Sequence, residues 1–194
     1  MVQGVRDRVL DAAKACSERW GIAKVTVDDI ATEAGVSRAT LYRLFPGGRD
    51  VLYDALRVRE TEEFMADLTE RIQGAVGYED LVVKVVTNAT RMLQADEHLK
   101  LMLASEPGEV ASDLTVEGLP RIFRAATLFF TPVFALHIGR EASARLAEWL
   151  ARVVISYFLA PSRFVDLSDD ASAAEFVRTF VLPAFPPSHV PTGR

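Results

Sequence analysis

The chain has 194 residues, 49% apolar and 25% charged, with a net charge of −5, which excludes a disordered chain and allows one domain or two small ones around a real core. A single cysteine, Cys16, excludes an intramolecular disulfide framework and a cysteine-rich zinc module. No uncharged run exceeds 15 residues, and the one from Ala125 to Gly139 has Pro132 inside it, too short and too interrupted to span a bilayer. Together with a charged start (Arg6, Asp7, Arg8, Asp11, Lys14), this sets the expected compartment as the cytoplasm.

The elements read as helices almost throughout, about nine in all. Val5, Val9, Ala12, Ala13, Cys16 and Trp20 share one face of a first helix that Gly21 stops. Thr26 then caps a short helix with Asp28 and Asp29 in its first turn, where the helix dipole favours acids. Gly35 ends it. Ser37 caps a second short helix that stops near Pro46-Gly47-Gly48, and a long helix follows from Arg49 to about Gln73. Next comes Glu79 to Ala95, with Leu81, Val82, Val85, Val86, Ala89, Met92 and Leu93 inward, and a short helix around Glu97 to Ala104. Leu119 to Gly139 and Glu141 to Ala160 form two long helices. Asp169-Asp170 open a last one that Pro183 ends, leaving 183–194 as a loose Pro-rich tail. The fold class is all-α, with one small domain expected over 1–48 and a larger helical one over 49–182.

The sharpest local pattern is Thr26 to Phe45. Two short helices joined by a tight Gly turn make a helix-turn-helix. Ile30, Ala34, Val36, Leu41 and Leu44 are spaced to share one small core, Ala31 is small where the second helix approaches, and Gly35 suits a positive φ. Arg38, Thr40 and Arg43 project from the face opposite Leu41 and Leu44. Charge supports the same segment. Residues 1–50 hold 8 Lys/Arg against 7 Asp/Glu, the rest 14 against 20, and Ser37 to Arg49 has three arginines and no acid. A basic stretch on an acidic protein is an electrostatic footprint for nucleic acid; a solvated outer face on an ordinary αα-hairpin is the plainer alternative.

The chain resembles the TetR family of bacterial transcriptional regulators from about Val9 to Leu52. The likeness is carried by Val9-Leu10-Asp11-Ala12-Ala13, Gly21, Val25-Thr26-Val27, Ile30-Ala31, Ala34-Gly35-Val36-Ser37, Thr40-Leu41-Tyr42, Phe45-Pro46 and Val51-Leu52. Two positions depart from the family pattern. A Leu-Phe pair late in the first helix is replaced by Cys16-Ser17, leaving Trp20 to fill that part of the core. A phosphate-binding Lys is replaced by Gly48, with Arg49 next along as its substitute.

The resemblance implies a DNA-binding domain over 1–48 and a ligand-binding and dimerisation domain over 49–182, in a homodimer on a palindromic double-stranded DNA operator that a small molecule held in the C-terminal domain releases. Geometry requires two recognition helices about one helical turn, ~34 Å, apart. Side-chain chemistry divides the labour. Arg38 and Arg43 can donate bidentately to guanine, and Thr40 can meet a thymine methyl or a phosphate. Thr26, Ser37, Tyr42 and Arg49 suit phosphate positioning, while Ala39 suits a thymine methyl or serves as a small filler.

In the C-terminal domain, the resemblance makes the last two long helices a four-helix dimer interface through Leu146, Leu150, Val153, Val154, Tyr157, Phe176 and Phe180. Burial of the same residues within one subunit is the alternative. Phe123, Phe129, Phe130 and Phe134, with Met92, Met102, Trp149 and His137, are candidates to line a pocket for an apolar or aromatic effector, or are plain core. Leu93 belongs with that lining, and His137, Arg91 and Arg121 are its candidate polar anchors. No cofactor is expected, and no metal: His98, His137 and His189 lack the spacing of a metal site or a catalytic pair. The chain is therefore read as no enzyme and no membrane protein. Its function is that of a ligand-responsive repressor, the alternative being a helical DNA-binding protein whose C-terminal domain binds a protein partner or no effector.

Overall fold

A computed structural model describes residues 2–97, 99–100 and 118–188. Among them are eight α-helices and no strand. The chain divides into two compact units, Met1–Glu62 and Glu63–Arg194. The division between the units falls inside the helix Arg49–Arg71. Packing explains this: Leu52, Tyr53 and Leu56 of that helix are buried in the first unit's core, and Met65, Leu68 and Ile72 in the second's.

The first unit holds α1 (Val2–Trp20), a 3₁₀ turn (Ile22–Lys24), α2 (Val27–Glu33), α3 (Arg38–Leu44) and the start of α4 (Arg49–Arg71). Its core joins Val9, Ala13 and Cys16 of α1 to Ile30, Leu41, Phe45 and Leu52. Trp20 does not fill the gap expected of it. It is 43% exposed, with the Arg19 guanidinium 5.1 Å from its ring centroid. Cys16 itself is buried, and burial pushes its thiol up. Beside it, the buried Ser17 hydroxyl donates to the Ala13 carbonyl at 2.8 Å. With its one proton used, Ser17 must accept from Tyr53 Oη, also at 2.8 Å. A satisfied polar pair stands where a large apolar side chain was expected.

The second unit holds the rest of α4, α5 (Gly77–Ala95), α6 (Leu119–Ile138), α7 (Arg140–Leu159), α8 (Asp170–Phe176) and a π-helical turn (Val177–Val181). Asp80 draws the start of α5 back two residues from Glu79 by accepting from the Val76 amide at 2.7 Å. Gly139, at φ 77°, makes the tight link between α6 and α7, and the Asp169 carboxylate caps α8 through the Ser172 amide at 2.9 Å. α6 is the one described helix whose length and mean hydropathy, 1.3, suffice on paper for a membrane crossing. It instead buries Phe123, Ala126, Phe130, Phe134 and Ile138. Pro183–Ser188 is not loose: Phe185 packs 6.0 Å from Trp149, centroid to centroid, and the Ser188 amide donates to the His137 carbonyl at 2.7 Å. The expected helix over Glu97 to Ala104 lies mostly outside the described residues, as do Met102, His98, His189 and the remaining tail.

Candidate nucleic-acid interface

Local chemistry builds the helix-turn-helix. The Thr26 hydroxyl accepts from the Asp29 amide at 3.2 Å, and Asp29 Oδ2 accepts in return from the Thr26 amide at 2.9 Å and hydroxyl at 2.6 Å. This reciprocal capping box satisfies donors that a helix start leaves open. The Thr26 hydroxyl, and after it the amide, holds the Asp29 carboxyl below the usual carboxylate range. Gly35 turns the chain at φ 64°, as the sequence required, and Ser37 caps α3 by accepting from the Thr40 amide at 3.1 Å. Ser37 and Thr40 hydroxyls also meet at 3.0 Å.

On α3, Leu41 is buried and Leu44 half-buried against the core, while Ser37, Arg38, Ala39, Tyr42 and Arg43 are exposed and Thr40 is half-buried. Thr26, at the start of α2, is exposed as well. Three arginines of the acid-free stretch differ in state. Arg43 makes no hydrogen bond or ion pair among the described residues. Arg38 lies 5.6 Å from the Tyr42 ring centroid and donates to the Asp28 carboxylate of α2 at 2.9 and 3.1 Å. Arg49 is half-buried and turned inward: it donates to the Ile22 carbonyl and lies 5.1 Å from the Tyr53 ring centroid. Gly48 explains the missing lysine. Its φ is 70°, and a Cβ there would sit 3.0 Å from Tyr42 Cε1, so a side chain at this position is both strained and crowded.

In the second unit, Leu146, Leu150, Val154 and Phe176 are buried within the subunit's own core. Val153 and Tyr157 are half-buried, and Phe180 is 55% exposed. Phe176 brings two of them together, its ring 5.7 Å from Tyr157 and 5.2 Å from Phe180. Of the proposed pocket lining, Phe123, Phe130 and Phe134 are buried, and Met92, Phe129, Trp149 and His137 half-buried. Arg91 is exposed and donates to the Ser168 carbonyl at 2.8 Å, with Asp170 at 3.2 Å. His137 stacks on Tyr78 at 5.5 Å.

Sequence reading missed two sets of residues. Asp28 reads as a helix-start acid, and no periodicity rule links it across the turn to Arg38. The buried hydroxyls of Tyr78, Thr87 and Thr131 also escaped notice; none has a hydrogen-bond partner among the described residues, and burial pushes Tyr78 up to about 12. Their apolar neighbours hid them, since Tyr and Thr at helical spacing read as core.

The model for bacterial regulatory proteins of the TetR family matches residues 9–56. Over 179 residues the chain is 30% identical to the HTH-type transcriptional regulator BetI of Brucella suis, covering 91% of this chain and 89% of BetI. The chain belongs to the TetR family of bacterial regulatory proteins. A second relative, the uncharacterised HTH-type transcriptional regulator MT1294 of Mycobacterium tuberculosis, is 29% identical over 182 residues, 92% of this chain and 86% of its own. Among solved structures, the TetR-family repressor AlkX from Dietzia sp., implicated in biodegradation of n-alkanes, superposes with a TM-score of 0.68 at 25% identity, covering 92% of this chain and 95% of AlkX. This TetR-family member is accordingly a DNA-binding transcriptional regulator.

Proposed function

We propose that this regulator is a cytoplasmic homodimeric repressor that reads a palindromic operator with α3 and is released by an apolar or aromatic small molecule. The observation that carries the DNA-reading part is the outer face of α3, where Arg38 and Arg43 stand exposed on the helix that Ser37 caps. In this reading Arg38 and Arg43 take guanine edges, Thr40 and Ala39 meet thymine methyls, and Thr26, Ser37 and Tyr42 position phosphates. Arg49, the remaining candidate phosphate contact, donates to the Ile22 carbonyl.

The dimer is supported by the exposed Phe180 and half-buried Tyr157, both against the Phe176 ring, and by half-buried Val153 on the same helix as Tyr157, apolar side chains of the kind obligate interfaces cover. Leu146, Leu150, Val154 and Phe176 then support that interface from behind, as core. The effector reading is supported by the aromatic set of α6, and by the likeness to a repressor implicated in n-alkane biodegradation. Selection of duplexes from a randomised pool, followed by footprinting, tests the reading. The expected product is an inverted repeat with half-site centres ~34 Å apart or a multiple of that. A direct single half-site bound by monomer would remove the dimeric operator model.

A further inference from the structure

The ion pair between Asp28 and Arg38 joins the two helices of the DNA-reading motif, and the fold does not need it. Both side chains are 62% exposed, and an exposed pair adds little stability. Ile30 and Leu41 already hold α2 against α3 from inside. The pair's effect is on charge. While Asp28 holds it, Arg38 presents the duplex with a neutral couple, whereas Arg43, farther along the same helix, presents a bare cation.

That difference matters because affinity and selectivity come from separate contacts. Non-specific binding is driven by counterions released as free cations meet phosphates, and a neutralised arginine contributes little to it. A guanine edge is different: N7 and O6 accept two parallel hydrogen bonds from the guanidinium fork. Both bonds to Asp28 leave from Nη1, so Nε and Nη2 can supply that fork while Asp28 keeps the plane of the group fixed. The Tyr42 ring centroid lies 5.6 Å from the guanidinium carbon. A lone phosphate, by contrast, must compete with Asp28 for the cation and lies close to the acid's own charge.

We propose that Asp28 is a specificity-setting positioning residue, which holds Arg38 so that its guanidinium gains on a guanine edge but not on a bare phosphate. The inference rests on the reading of Arg38 as a base contact. Asp28→Asn keeps the shape and removes the charge at an exposed site, and an unchanged melting temperature confirms the fold. Affinities are measured, across a salt series, for a duplex selected by the unaltered protein and for a scrambled duplex of the same composition. The expected result is several-fold tighter binding of the scrambled duplex, with a salt slope steeper by about 1 per protomer. The selected duplex gains less, so the selectivity ratio falls. In an Arg38→Ala background the same substitution should leave the ratio unchanged. A ratio unaffected by Asp28→Asn, or lowered equally without Arg38, overturns the proposal while the operator reading stands. An unaltered protein that selects no sequence overturns both.

Discussion

Arg43 and Arg49 lie six residues apart, yet their surroundings assign them different work. Arg43 is exposed on α3 with no partner among the described residues, so Arg43→Ala is expected to weaken operator binding by ~1–3 kcal/mol per half-site and relax preference at one base pair. Unchanged affinity and selectivity in a binding-site selection would remove Arg43 from the reading face. Arg49 is turned onto the Ile22 carbonyl and the Tyr53 ring. Arg49→Ala should therefore lower the melting temperature and leave the salt slope of DNA binding alone; a slope flattened by about 1 per protomer would show a phosphate contact instead. The cap of α2 gives a pH signature. Asp29 is held below its ordinary range, so its contribution is present above the unfolded carboxylate value and is lost as pH falls through the lower folded value. Asp29→Asn should then lower the melting temperature at neutral pH, and the deficit should shrink in acid. A deficit constant with pH would mean that the charge of Asp29 is irrelevant. These residues were legible in different degrees. Thr26, Gly35 and Ser37 act on neighbours three residues away or less, within reach of a local pattern. The partners of Arg38, Arg49 and Ser17 lie 10, 27 and 36 residues distant in the chain, where no spacing rule operates.

Helix limits followed the same logic. α2 and α3 start one residue after Thr26 and Ser37, and α6 runs from Leu119 to the residue before Gly139, because caps and glycines mark ends locally. What each apolar face packs against was not legible. Periodicity shows that Leu146, Leu150, Val154 and Phe176 are covered, and it is silent on whether a second copy covers them; in the structure their own subunit does. That fixes how an interface test must be designed. Val154→Asp puts a charge into a buried core position and should cost about 3 kcal/mol or more in folding, whatever the oligomeric state. Phe180→Asp changes an exposed side chain, so it should yield monomers by light scattering with helical circular dichroism retained. A normal dimer would place the interface elsewhere than Phe180. The same limit applies to the division between cores: Gly47 and Gly48 mark a local turn, whereas the division depends on where Leu56 and Met65 are buried.

At the scale of the whole chain, α4 is the element with side chains in both cores, Leu52 and Leu56 in one and Met65, Leu68 and Ile72 in the other. In the proposed switch, an effector among the α6 aromatics changes the preferred position of α4 and with it the separation of two recognition helices. Major grooves accept only a matched spacing, so a displacement of a few ångströms forfeits contacts in one half-site. Such coupling is reciprocal. An effector that lowers operator affinity a hundredfold must itself bind ~2.7 kcal/mol more weakly to the DNA-bound protein. The measurement is a calorimetric titration of apolar candidates, medium-chain alkanes and alkylphenols among them, into the protein alone and into its complex with the selected duplex. A releasing compound is expected to show the weaker affinity in the complex, by the same factor that it imposes on DNA binding. Equal affinity in both titrations would exclude the switch for that compound, since a ligand with no preference between two states shifts neither. Placing Gly at Leu56 and, separately, at Leu68 then locates the coupling. If α4 carries it, either substitution should reduce the ratio of the two affinities, while the effector's affinity for the free protein changes little with Leu56→Gly, whose side chain lies in the DNA-reading unit.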